Sequence, residues 1–194
     1  VKNLKDFIAY VKGKPGQLNY GSAGNGSAGH LAFEYLKMAS GIFMLHVPYR
    51  GTGPMLTDLM GGQVQMGFVS VSQVAAQVKA GTLRALAVST RQRSASLAQM
   101  PDVPTVAEQG FKGFEMTQWY GLIAPSKWPK AHLARLEAEA VKAARSTLVK
   151  EKLAQETALA VGNSSAEFDA FIKAEQARWK PVIERAQIKP EGMG

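Results

Sequence analysis

Leu18-Asn19-Tyr20-Gly21-Ser22-Ala23-Gly24-Asn25-Gly26-Ser27-Ala28-Gly29-His30 compresses three pieces of backbone into one short segment. A strand-like run, Leu18 to Ser22, passes into four glycines and two serines within nine residues, and then into apolar residues at helical spacing, Leu31, Tyr35 and Met38. The predicted order is strand, glycine-rich turn and helix start. Such a junction gathers donors, because the first four N–H groups of a helix lack intrahelical acceptors and the peptide dipoles add partial positive charge there. It is a ready anion site. Glycine lets the backbone approach a ligand and take up positive φ, and Ser22, Asn25 and Ser27 supply short polar side chains that either cap the helix or bind an oxygen. Two readings stand side by side: a ligand cradle, or a βα turn with Ser27 or Asn25 as its N-cap.

Outward from this turn the chain alternates strand and helix. On the N-terminal side, Val1, Leu4, Phe7, Ile8 and Val11 recur at helical spacing until Lys14-Pro15-Gly16. On the other side, the helix after the turn runs to Gly41, and Ile42 to Val47 reads as a buried strand closed by Pro48-Tyr49-Arg50-Gly51-Thr52-Gly53. Thr52 or Gly53 is positioned to cap a short helix with Pro54 in its first turn. Val64, Met66 and Phe68 alternate as a strand, Val69-Ser70-Val71-Ser72 leads into a helix over Gln73 to Lys79, and Leu83 to Val88 forms a further strand. The alternation predicts an α/β fold with a mainly parallel sheet and flanking helices. Ligands of such sheets sit beyond the carboxyl ends of the strands. The turns at Ser22 to Ser27, Pro48 to Thr52 and Val69 to Ser72 are therefore expected on one rim.

Past Ser89 the pattern changes. Met100-Pro101-Asp102-Val103-Pro104-Thr105 leads to a short helix capped by Thr105, and Phe114 to Ile123 reads as a long strand carrying Trp119 and Tyr120 at a crossing between lobes. Trp128-Pro129 opens a helix that a second helical segment extends to Gln155, and Thr157 to Val161 is a strand candidate. Ser164 or Ser165 caps a last helix with Phe168, Phe171, Ile172 and Trp179, which Pro181 is expected to kink or stop, and the tail after Lys189 is expected to fray.

Composition excludes several classes. The chain has no cysteine, which removes disulfides, thiolate metal sites and cysteine nucleophiles together. The net charge of +8 is spread along the sequence rather than gathered in a block, so nucleic acid is not expected as a partner; the positive field instead favours capture of small anions. No stretch of about 18 apolar residues is present to span a bilayer, and Val1-Lys2-Asn3-Leu4-Lys5-Asp6 does not read as a signal peptide. His30, His46 and His132 have no metal-ligand spacing, no G-x-S-x-G elbow occurs, and the carboxylates are scattered, so neither a catalytic set nor a metal site is assigned. His30 is open to a structural role or a ligand contact, whereas His46 reads as a hydrogen-bonded core histidine and His132 as a surface residue. Gly24-Asn25-Gly26-Ser27-Ala28-Gly29 fits G-x-G-x-x-G, which raises an alternative: an NADP-binding oxidoreductase domain, with Arg50 on the cofactor phosphate. The fit is poor, because Gly21, Ser22 and Ala23 separate the strand from the first fingerprint glycine and no acid stands at the end of the next strand.

Several motifs in order, Asn19 to Leu31, His46-Val47-Pro48-Tyr49-Arg50-Gly51, Asp58-Leu59-Met60-Gly61-Gly62-Gln63-Val64, Leu83-Arg84-Ala85-Leu86-Ala87-Val88 and Pro101-Asp102-Val103-Pro104-Thr105-Val106-Ala107-Glu108, resemble the Bug (TctC-like) receptors. These are extracytoplasmic solute-binding proteins of tripartite tricarboxylate transporters. The resemblance covers nearly the whole chain. It implies a type II periplasmic binding protein fold, in which two α/β lobes close over a small carboxylate held by backbone N–H groups, short side chains and water. It also implies a periplasmic, non-enzymatic receptor without cofactor that delivers its ligand to membrane permease subunits.

Carried onto this chain, the resemblance places ligand contacts at Ser22, Ala23, Gly24, Asn25, Gly26, Ser27, His30 and Tyr49, and at Val69 and Ser70 in the turn after Phe68. At that turn many relatives carry an acidic residue followed by asparagine; Val69-Ser70 departs from this and removes a carboxylate that would read a ligand amine or a bound water. The family also has a first-lobe segment ahead of the position of Val1. The chain is thus expected to be a fragment: residues 1–115 as the ligand-binding second lobe, 116–163 as the crossover and partial first-lobe elements, and 164–194 as the helix returning to the second lobe. Trp128 and its neighbours, lacking their sheet partners, are expected to leave apolar surface open to a homodimeric contact.

Overall fold

The computed structural model describes residues 1–93 and 102–189. Met100 and Pro101, at the head of the motif that leads to Thr105, and the tail after Lys189, which is expected to fray, lie outside the described residues. The chain divides into two compact units, one formed by Val1–Thr117 with the segment from Trp179 onwards, the other by Gln118–Arg178.

The first unit opens with α1 (Leu4–Lys12), whose N-cap Asn3 accepts the Asp6 N–H at 2.8 Å. Leu4, Phe7, Ile8 and Val11 line one face and are all buried. β1 (Asn19–Ser22) is the central strand of a parallel three-stranded sheet ordered β2-β1-β3, with β2 at Leu45–Pro48 and β3 at Met66–Gly67. The register sets Tyr20 beside His46 on one side and beside Met66 on the other. Helices α2 (Ala28–Ser40), α3 (Thr52–Met60) and α4 (Val71–Lys79) each follow one of these strands. Every strand therefore hands over to its helix at the same, carboxyl edge of the sheet, and the three expected turns share that rim.

Leu18, Tyr20, Phe33, Leu36, Met44, Val106 and Phe114 join the α1 face in one core. Tyr35 stacks on Phe114 at 4.6 Å between ring centroids and meets Trp179 edge-on at 5.8 Å. Helix α7 (Ser165–Arg185) runs through Pro181 instead of stopping there, and the buried Trp179 and Val182 anchor its last turns in the first unit.

The strand expectations fare less well away from the turn. The β2 ladder involves Leu45–Pro48 rather than a buried run over Ile42 to Val47: β2 is an edge strand, with Leu45 49% exposed, and the burial falls on Ile42 and Met44 just before it. Of Leu83 to Val88, Val88 alone pairs, through a bridge to Thr105 in which Val88 N–H donates to Pro104 O at 3.0 Å and Val106 N–H to Val88 O at 2.9 Å. Thr105 caps a set of turns, not a helix. Its Oγ1 accepts the Glu108 N–H and Glu108 Oε2 accepts the Thr105 N–H, the reciprocal bonds of a capping box, but Gly110 at φ 107° ends the segment.

The second unit contains α5 (Lys130–Arg145), α6 (Thr147–Gln155) and the first part of α7. Trp119 packs edge-on to Phe168 and Phe171 at 5.5 and 5.4 Å. The strands expected over Phe114 to Ile123 and Thr157 to Val161 are irregular backbone. A strand exists only through a partner ladder, and among the described residues neither segment has one. Tyr120 is 87% exposed, Ile123 89%, Leu159 73% and Val161 76%.

Candidate functional site

The glycine-rich turn leaves β1 at Ser22, which is fully buried. Ser22 O accepts the Tyr49 N–H at 3.0 Å and Ala23 O the Gly51 N–H at 3.2 Å, so the loop after β2 is tied along the turn. Gly24 at φ 134° and Gly26 at φ 71° take conformations that a side chain would resist. Ser27 is the N-cap of α2, accepting the His30 N–H at 3.3 Å. Asn25 is exposed at the tip.

The third loop of the rim reaches the turn through Gly29. A β-carbon built on Gly29 would lie 2.7 Å from the Phe68 carbonyl oxygen, so the absence of a side chain lets the α2 start rest on the backbone that leads into Val69 and Ser70. The structure thus brings Ser22 to Ser27, His30 and the Tyr49 backbone together, with Val69 and Ser70 adjoining. The Tyr49 side chain goes elsewhere, its hydroxyl donating to Asp58 Oδ2 at 2.7 Å, and Ser70 stands at the N-cap position of α4 without a side-chain cap bond.

Behind the turn lies a stack of rings. Phe33, Tyr20 and His46 follow one another with centroids 3.9 and 4.9 Å apart, and His46 stacks on His30 at 3.8 Å. Tyr20 donates its hydroxyl to Glu34, which also pairs with Lys37 at 2.7 Å. Burial, and next the bond to Glu34, push the Tyr20 phenol far above its ordinary range. Burial also lowers both imidazoles; for His30 the Glu34 charge opposes this and Lys37 adds to it, and for His46, lowered to about 4, His30 adds to it. Both rings are thus held toward the neutral form.

His46, expected as a hydrogen-bonded core histidine, is half-buried and hydrogen-bonded, and its partner is in the turn. Its Nε2 lies 2.6 Å from Ser22 Oγ. Strand periodicity puts Tyr20 and Ser22 on one face, but only the register of β1 against β2 brings His46 to that face.

Chemically the rim offers backbone and side-chain amides and hydroxyls, with the Ser22 hydroxyl held against His46 Nε2. Among the described residues no group of three or more histidines and carboxylates is placed to hold a metal ion, and no helix is long and apolar enough to cross a membrane.

Residues 1–188 match the family described as tripartite tricarboxylate transporter family receptor. The chain belongs to this receptor family. Among curated relatives it is 35% identical over 183 residues to the UPF0065 protein in the tcbD-tcbE intergenic region of Pseudomonas sp. (strain P51), a match covering 94% of this chain and 54% of that protein. The chain therefore spans about half the length of that relative.

Three solved structures share the receptor's fold. Rpa4515 of R. palustris with adipate has a TM-score of 0.85 at 33% identity, covering 98% of this chain and 62% of that one. The periplasmic binding protein BugD gives 0.80 at 29%, covering 97% and 63%. MatC (Rpa3494) from Rhodopseudomonas palustris with bound malate gives 0.77 at 28%, covering 94% and 62%. The α/β unit with its parallel sheet is thus of the periplasmic binding protein type. The family is one of receptors and not of enzymes, which removes the NADP-dependent oxidoreductase alternative.

Proposed function

We propose that this chain carries the anion-holding part of a periplasmic receptor for a small dicarboxylate, bound at the start of α2 and delivered to a membrane permease. The observation that carries this reading is the set of N–H groups left over at the turn. Those of Asn25, Ala28 and Gly29 have no acceptor among the described residues, and the last two open the helix, where the peptide dipoles favour an anion. The two family structures that hold adipate and malate support a ligand with carboxylate groups. In this account Asn25 and Ser27 add side-chain contacts, Val69 and Ser70 border the ligand without charge, and the unit Gln118–Arg178 belongs to the other lobe of the receptor.

Thermal unfolding against malate, adipate and succinate tests this, with the chain alone and with the first-lobe segment of a longer relative joined ahead of Val1. A ligand that binds only the folded state stabilises it by about 2.7 kcal/mol at a hundredfold excess over its Kd. Asn25→Ala with Ser27→Ala should reduce the shift. No shift with any dicarboxylate in either form would refute the reading.

A further inference from the structure

The donors of the turn are divided. From Gly24 to His30, the N–H groups of Gly24, Gly26, Ser27 and His30 are turned onto protein acceptors: Ser22 Oγ at 3.2 Å, His30 Nδ1 at 3.1 Å, Gly24 O at 3.2 Å and Ser27 Oγ at 3.3 Å. Two of these acceptors depend on histidines. His30 Nδ1 receives Gly26 directly, which puts the His30 proton on Nε2. Ser22 Oγ touches Gly24 N, Gly24 O at 3.0 Å and His46 Nε2 at 2.6 Å. A hydroxyl has one proton and two lone pairs, so all three contacts are bonds when Ser22 donates to Gly24 O and accepts from Gly24 N–H and His46 Nε2–H.

A run of loop amides all pointing outward forms a nest that encloses a phosphate. Here four of the seven amides from Gly24 to His30 are turned inward and the nest is closed. What remains at the helix start is the adjacent pair Ala28 and Gly29, a donor pair suited to the two oxygens of one planar carboxylate.

We propose that His30 and His46 are positioning residues that close the phosphate-type nest of this turn, so that the site selects a carboxylate over a tetrahedral oxyanion. This rests on the dicarboxylate reading above. The stack of His30 on His46, backed by Tyr20 and Phe33, fixes both rings against the turn, and the neutral state of His30 keeps Nδ1 available as an acceptor.

The test uses the whole chain and two kinds of readout. NMR on the free protein reports the His30 tautomer and the hydrogen-exchange protection of the Gly24 and Gly26 amides. Titration compares succinate and adipate with inorganic phosphate. The variants differ in reach: His30→Asn and His46→Gln keep a polar atom at the position of the ring nitrogen in use, His30→Gln and His46→Asn move it, and His30→Leu and His46→Leu remove it.

His30 should carry its proton on Nε2, both amides should be protected, and phosphate should bind more weakly than the dicarboxylates. The reach-conserving variants should retain these properties. The others should lose protection and about tenfold in dicarboxylate affinity, with the preference over phosphate narrowed. Should the leucine variants fail to fold, the reach-swapped pair carries the comparison. Unchanged Gly24 and Gly26 protection in the reach-swapped and leucine variants, or phosphate binding as tight as succinate in the native chain, would overturn the proposal. Failure of every dicarboxylate to bind would instead sink the functional reading, while tautomer and exchange data still judge the role of the histidines.

Discussion

The Phe68 carbonyl oxygen occupies the place where a side chain on Gly29 would begin, 2.7 Å from a β-carbon built there. This contact is backbone against backbone and cannot be relieved by a rotamer change. Gly29→Ala should therefore push the α2 start away from β3 and destabilise the fold by about 1–3 kcal/mol, the usual cost of overpacking a close contact. Gly53→Ala is the control, since a β-carbon there meets nothing within 4 Å. Urea unfolding of the two variants checks this, and equal midpoints would mean that α2 and β3 separate freely.

Acid sensitivity should begin near neutrality. Folding holds His30 and His46 below their ordinary value of 6.5, His46 at about 4, so the unfolded chain takes up protons first as pH falls. Stability from these two groups is complete above about pH 7, declines below 6.5 and stops declining below the folded value. The groups facing the pair are Glu34, Lys37 and the Tyr20 phenol. Glu108 and Glu167 are lowered too, Glu108 by its bond from the Thr105 N–H and by Arg93, Glu167 by its bonds from Ser164, so their contribution is lost only below the ordinary carboxylate range. Melting temperatures between pH 7 and 5 thus isolate the histidines, and His46→Gln should flatten that part of the profile. A native profile already flat over this interval would show that the rings are not held neutral.

The second unit should be adhesive in isolation. Tyr120, Leu122, Ile123, Leu159 and Val161 expose most of their surface on irregular segments that have no ladder partners among the described residues. Such apolar surface seeks cover. The chain alone should bind an exposed-hydrophobe dye and scatter light as a dimer or larger species, and Ile123→Lys with Val161→Lys should reduce both signals. A monodisperse monomer without dye binding would mean that this surface is self-satisfied.

Elements whose signals are local were legible in the sequence. Ser27 before Ala28 and Gly41 after Ser40 mark their helix ends through bonds to residues three or four positions away. The glycine turn was legible for the same reason, since strand, glycines and cap are consecutive. Strands announced by composition alone failed at Leu83 to Val88, Phe114 to Ile123 and Thr157 to Val161, because apolar alternation describes a willing surface and says nothing of whether a partner edge is present.

The site divides along the same line. That a glycine-rich turn and a capped helix start follow β1 was readable from Ser22 to His30, where short-range sterics and capping leave few conformations. That His46 reaches Ser22 and that Phe68 lies on Gly29 were settled only by the tertiary structure. These depend on strand register and helix placement across 24 and 39 positions of sequence. The sequence by itself determined where donors collect and, through bonds only two to four positions long, which of them are spent locally; parallel pairing of β1 with β2 and β3 determined that His46 backs Ser22 and that the Phe68 carbonyl lies on Gly29, because those contacts join segments far apart in sequence.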